Sequence, residues 1–263
     1  MSLRIITLNT WKGDGSYTAR LHAMARGLAA LSPDIVFLQE ALSVPGTSLD
    51  TTGYLAEALE LAPAFCPARD KWRDVEGVSR RCFSGLGVLL RGRVLMEQQI
   101  ALPLDARDPD RVGFMVRGRV GDERLCLLNL HLTHLPDAHA CRLAQLQAAL
   151  QALDPWGGER RIVAGDFNAA PGAPLHEWIA GVSEPPLRLL TACGEDGVPL
   201  STLQAVDGPD GAVDHILLVG GGGGGRPSVR RVLESSDPDS GVFASDHYGL
   251  LADLACVELG EEP

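Results

Sequence analysis

Several short apolar runs in this sequence end in, or are flanked by, residues that can hold a metal or move a proton. They are Asn9, Glu40, His131, Asp166 with Asn168, Asp214, and Asp246 followed by His247. Such polar groups are costly to bury unless they are paired or metal-bound. Packing therefore does not explain why each one closes an otherwise apolar stretch. Gathered at one end of a sheet, they would form a cleft of acids, amides and histidines. Carboxylate and amide oxygens suit Mg²⁺ or Mn²⁺. A hard cation with open positions for phosphate serves phosphoryl chemistry, and the neighbouring His and Asp residues can supply base, acid and charge stabilisation.

Composition narrows the setting. The 263 residues include 23 Lys+Arg and 34 Asp+Glu, a net charge of −11, with 45% hydrophobic residues. That is a globular composition. The charge disfavours indiscriminate polyanion binding but leaves room for a local basic site. No apolar stretch approaches the roughly 20 residues of a membrane span. The N-terminus lacks a signal-peptide pattern. Six scattered cysteines show no CxxC or zinc-type spacing and read as reduced thiols. A cytoplasmic, monomeric protein of one domain, 1–263, is expected.

The elements that must position these residues follow from periodicity. Strands are expected at Leu3–Asn9, Asp34–Gln39, Leu86–Leu90, Val94–Ile100, Val112–Val120, Arg124–His131, Arg161–Gly165, Val213–Val219, Val229–Leu233 and Tyr248–Val257. Helices are expected at Thr18–Leu31, Thr51–Leu61, Ala138–Leu153 and Pro174–Ala180. Residues 62–85, rich in Pro, Arg and Asp, read as a long loop. The run Gly220–Gly225 reads as a hairpin loop and Glu258–Pro263 as a solubilising tail. Alternating strands and helices favour one α/β domain.

The motifs resemble the endonuclease/exonuclease/phosphatase family. The matching stretches are ITLNTW at 6–11, DIVFLQE at 34–40, GLGVLL at 85–90, LLNLHLTH at 127–134, VAGDFNAAP at 163–171, DHILL at 214–218 and SDHYGLLADL at 245–254. They keep the family's order and span nearly the whole chain. The resemblance implies a four-layer α/β/β/α sandwich of two packed mixed sheets flanked by helices. It also implies Mg²⁺, with Mn²⁺ as the alternative, as one or two ions.

It further implies roles. Glu40 corresponds to the principal metal ligand, with Asn9 beside it and Asp246 as a candidate to complete the site. Asp214 corresponds to the carboxylate that orients His247. His247 is either general base or the imidazolium that stabilises the phosphorane. Asp166 either positions water or protonates the leaving oxygen, and Asn168 donates to phosphate. His131 matches a position that touches a non-bridging oxygen. The chain reads NLHLTHL where the family usually has one histidine, so His134 is a second substrate contact or a loop residue. Arg142 and Gln145 resemble scaffold hydrogen-bonders. His215 reads as scaffold, and His139 and His176 as exposed.

Substrate class is less sharply drawn. Arg69, Lys71, Arg73, Arg80 and Arg81 fall together with Trp72 and Phe83. Cations with an aromatic platform suit a nucleotide, a single strand or another anionic head group. Arg69, Lys71, Arg73, Arg81 and His134 are thus the candidate substrate contacts; a solvated loop neutralised by Asp70, Asp74 and Glu76 is the plainer alternative. A phosphodiesterase acting on nucleic acid or nucleotides is the leading expectation. A sphingomyelinase-like lipid head group or a small phosphoester is the alternative substrate, and a catalytically silent binding module on the same fold is the alternative to an enzyme.

Overall fold

A computed structural model describes residues 2–220 and 227–255. Its first strand, β1 (Ser2–Asn9), shows why the apolar runs are continuous. Leu3 and Ile5 face a core between two sheets, whereas Ile6 and Leu8 face a core beneath helices. A strand covered on both sides has no reason to alternate apolar with polar residues.

The first sheet runs β11-β12-β1-β2-β4-β3, from β2 (Ile35–Ser43), β3 (Ala62–Val75), β4 (Val78–Leu90), β11 (Ser228–Val232) and β12 (Gly249–Ala255). The second runs β5-β6-β7-β8-β10-β9, from β5 (Arg93–Ala101), β6 (Val112–Val120), β7 (Glu123–His131), β8 (Arg160–Asp166), β9 (Leu187–Leu190) and β10 (Asp214–Val219). Helices α1 (Tyr17–Leu31) and α2 (Thr51–Leu59) cover the first sheet. Helices α3 (His139–Gln151) and α4 (Pro174–Gly181) cover the second. The result is the expected four-layer sandwich.

Each sheet contains one parallel pair, β1 with β2 and β7 with β8. Each pair is joined through one helix, α1 or α3. Parallel neighbours need such a crossover. Both pairs end at the same pole of the sandwich, where their carboxyl ends meet the starts of antiparallel β12 and β10.

The long loop expected at 62–85 is instead the hairpin β3–β4. Glu76 and Gly77 turn it with φ of 55° and 74°. Consecutive positive φ values match the twist of a two-residue hairpin turn. The charges mislead because β3 is an edge strand, where charge and Pro are tolerated. β9 is an edge strand that the sequence reading omits. The glycine run and acidic tail fall mainly at 221–226 and 256–263, outside the described residues. Cys66, Cys82, Cys126, Cys141 and Cys193 are free thiols, as expected.

Candidate active site

The site forms where strand direction puts it. Asn9 closes β1, His131 closes β7, Asp166 closes β8 and Asp214 opens β10. Asp246 and His247 lie just before β12. Register pairs His131 and Asp214 with Asp166 as direct neighbours. Asp166 is thus the last strand residue, one position inside the expected boundary.

Glu40 reaches the site through a local irregularity. β2 shifts register against β4 between Leu38 and Ala41, and Glu40 takes φ of 55°. A bulge of this kind re-aims a side chain. Trp11, Lys12 and Asn168 also have positive φ, at 54°, 46° and 48°. Such conformations are uncommon outside glycine and concentrate at functional sites.

The acid/base groups form a compact buried chain. Asp214 Oδ2 lies 2.8 Å from His247 Nδ1. Asp166 Oδ2 accepts from Asn9 Nδ2 at 3.1 Å and lies 3.4 Å from His131 Nε2. Asp166 Oδ1 accepts from the Asn168 backbone N–H at 2.9 Å. Asp166, Asp214 and His247 are respectively 2%, 1% and 6% exposed. Burial, and then Asp214, push the Asp166 carboxyl well above the ordinary carboxylate range. Burial opposes a charged His247, but the charge and hydrogen bond of Asp214 outweigh it and raise the imidazole. His131 is pushed down by burial, then by Arg111 and Lys12, and is neutral.

The donors fit a divalent cation. Glu40, Asn9 and Asp246 offer oxygen atoms suited to a hard ion. Glu40 meets a cationic group already, the Lys12 ammonium at 2.8 Å. Among the described residues, Asp214 Oδ1 is buried without a hydrogen-bond partner. Asp166, Asp214 and His247 also offer ligand atoms within 4.8 Å of one another. An orphaned buried carboxylate oxygen in such a cluster is the signature of a site that handles charge.

Behind these groups an amide network ties the sheets together. Gln39 Nε2 donates to Asn129 Oδ1 at 2.7 Å, and Asn129 Nδ2 donates to the Leu38 and Gly87 carbonyls. Neither residue was marked as functional by its type. Their place one residue before Glu40 and two before His131 is the available signal.

The predicted substrate contacts separate. Arg69 lines a small pocket beside Glu40 and His131, together with Lys12 and Arg111. Lys71, Arg73 and Arg81 do not line this pocket and lie further along the hairpin; Arg81 forms a two-point pair with Asp70. His134 is half-exposed and lies 2.8 Å from Arg111. Lys12 and Arg111 were missed because a single lysine or arginine beside a motif carries no periodic signal. Gln145 and Arg142 are scaffold, as expected: they bond the Thr133 N–H and the Thr133 and Leu135 carbonyls. His215 is also scaffold, bonded to Ala169 and Thr191. His176 is not exposed as expected. It is half-buried edge-on against His215 at 4.7 Å, and burial pushes it down to about 4.

Asp108 organises the pocket rim. It is fully buried and accepts from Arg69, Arg111 and Thr133 at 3.0, 2.7 and 2.9 Å. Burial alone would raise its pKa, but Arg111, Thr133 and His134 hold it at about 2. A depressed carboxylate contributes stability above its unfolded pKa of about 4 and loses it as pH falls through the folded value. Asp108→Ala strands Arg111, leaves Arg69 with Asp110 alone, and costs about 2–4 kcal/mol at neutral pH. The difference from wild type shrinks between about pH 4 and about pH 2. Urea melts at pH 7 and below pH 3 check both statements; an equal difference at the two ends refutes them.

Residues 6–247 match the Endonuclease/Exonuclease/phosphatase family. The chain belongs to that family. Divalent-metal-dependent phosphoester hydrolysis is the chemistry of this family. Mouse tyrosyl-DNA phosphodiesterase 2 is 27% identical over 172 residues, 62% of this chain and 41% of that protein. The chain therefore spans under half the length of that relative. D. rerio TDP2 complexed with a single-strand DNA product shares the fold with a TM-score of 0.70 at 19% identity, over 97% of this chain and 99% of that one. The human nocturnin catalytic domain with bound sulfate gives 0.69 at 21%, over 97% and 94%. Among the described residues, no helix is long and apolar enough to cross a membrane.

Proposed function

We propose that this family member is a Mg²⁺-dependent phosphodiesterase acting on nucleic acid. The observation that carries the reading is the buried Asp166–Asp214–His247 cluster beside a pocket lined by Lys12, Arg69 and Arg111. Similarity to tyrosyl-DNA phosphodiesterase 2 supports a DNA substrate. In this reading Glu40, Asn9 and Asp246 would hold the cation, which supplies charge neutralisation at the phosphoryl oxygens when bound. Action as a monomer in the cytoplasm belongs to the same proposal; the free thiols among the described residues support the reducing compartment.

The chain's own groups divide the remaining work. Asp214 holds Nδ1 of His247 and so presents Nε2 to the substrate. The raised pKa keeps His247 cationic, suited to stabilising charge on phosphate. Asp166 is held by Asn9 and Asn168 and has raised basicity, suited to taking a proton from the attacking water. Neutral His131 completes the contacts to non-bridging oxygens with the second Nδ2 hydrogen of Asn168, whose first goes to the Leu132 carbonyl at 3.0 Å.

Two outcomes test this. Bis(p-nitrophenyl) phosphate is hydrolysed with Mg²⁺ or Mn²⁺ and not in EDTA, faster than the monoester. Monoester cleavage alone refutes the diesterase reading. Activity against pH is bell-shaped. The base works when ionised, so rate rises as pH passes the raised Asp166 value. The imidazolium works when protonated, so rate falls above the raised His247 value. Both limbs lie above the ordinary ranges for carboxylate and imidazole. A profile flat across neutral and alkaline pH contradicts these roles.

A further inference from the structure

Arg20 is a buried arginine with no carboxylate partner among the described residues; it is 3% exposed. An arginine side chain has five N–H donors and is almost never buried unpaired. Here all five donors go to main-chain carbonyls. Nε donates to Asp14 at 3.0 Å. One terminal nitrogen donates to Thr10 and Ala244 at 2.9 and 3.2 Å. The other donates to Trp11 and Lys12 at 3.2 and 3.1 Å. The guanidinium also lies 4.8 Å from the centre of the Trp11 ring.

These carbonyls belong to the two segments that present the metal-type donors. Trp11 and Lys12 leave β1 with two successive positive φ values. That backbone turns three carbonyls, from Thr10, Trp11 and Lys12, toward one point. Such a cluster repels itself and is held only by a strong donor group. The same turn lets the Trp11 N–H donate to Asn9 Oδ1 at 3.1 Å and brings Lys12 to Glu40. The fifth bond, to Ala244, joins this turn to the segment ahead of β12. Ser245 adds a second stitch there, donating to the Asn9 carbonyl at 2.6 Å and lying 3.2 Å from Asp246 Oδ1. In the second sheet, Arg142 on α3 clamps the carbonyls of Thr133, Leu135 and Pro136 after His131. Each crossover helix thus carries a buried arginine that grips the loop at the end of the preceding strand.

We infer that Arg20 is a positioning residue for the metal-binding end of the site, setting Asn9, Lys12 and Asp246 relative to Glu40 through main-chain carbonyls. The inference rests on the metal-dependent reading above. Lysine cannot replace it, because three donors on a single nitrogen do not span five carbonyls. Outer groups that orient metal ligands typically cost about 10–100-fold in affinity when removed.

The test is a Mn²⁺ titration of the full chain by calorimetry and by metal-induced rise in melting temperature. Wild type, Glu40→Gln, Arg20→Lys and Arg20→Ala are compared. Arg20→Lys is expected to melt cooperatively in EDTA, to bind Mn²⁺ about 10–100-fold more weakly, and to lose kcat with KM for the diester unchanged. Arg20→Ala is expected to regain Mn²⁺ affinity when millimolar guanidinium fills the vacated space. Wild-type affinity in a folded Arg20→Lys overturns the inference while leaving the metal reading intact. Failure of both variants to fold in EDTA also overturns it, because Arg20 would then serve the fold alone. No Mn²⁺ binding by wild type removes both readings together.

Discussion

Asp166→Asn lowers kcat on a phosphodiester by about 10²–10⁴-fold, and the protein becomes more stable at alkaline pH. The two effects have one origin. Asp166 is a buried carboxylate next to a second one, Asp214, and both factors penalise its ionised form. A raised carboxyl pKa means that folding opposes ionisation. The cost is absent below the unfolded pKa and complete above the folded one. Asparagine removes the charge, keeps an oxygen for the Asn168 N–H, and cannot accept a proton from water. The stability gain is therefore expected at pH 8 and absent near pH 4. Turnover and urea melts on the same preparation check this. A variant that is inactive and also less stable at pH 8 contradicts the account.

His247→Ala is the second large effect. Turnover falls by about 10²–10⁴-fold through loss of the imidazolium. Stability also falls, by about 3–5 kcal/mol, because Asp214 loses its only close ionic partner among the described residues. Asp214 is buried, and its Oδ1 already has no hydrogen-bond partner among the described residues. The stability loss is thus the cost of a stranded charge. Adding Asp214→Asn to His247→Ala restores much of the stability and none of the turnover. A double-mutant cycle measured by chemical denaturation separates the two. Strictly additive stability losses would show that the pair is not coupled.

The pole at which these groups meet is a consequence of topology. Within each sheet, the helix between parallel strands returns the chain so that both strands finish at one end. Antiparallel β12 and β10 start at that end. Apolar runs then bury their length in three cores, and their polar terminal residues converge. Binding outside the carboxyl ends of strands is a general property of sheets with such crossovers.

Much of this was determined by sequence alone. Strong apolar runs made β1, β2, β7, β8, β10 and β12 legible, because a strand covered on both faces is apolar throughout. The residues closing those runs marked Asn9, Glu40, His131, Asp166, Asp214 and Asp246–His247. The order of short motifs pointed to the family and its four-layer sandwich. The edge hairpin β3–β4 was not legible, because a solvent-facing strand carries charges that look like a loop. The partners of Glu40, Asp108 and Arg20 were not legible either. Lys12 reaches Glu40 only through two left-handed residues and a bulge. Asp108 collects Arg69 and Thr133 from elements 39 and 25 positions away in sequence. Arg20 binds carbonyls, which every residue possesses and no sequence pattern distinguishes. Periodicity encodes which face of an element is buried; only the assembled fold decides which polar atoms meet when those faces close.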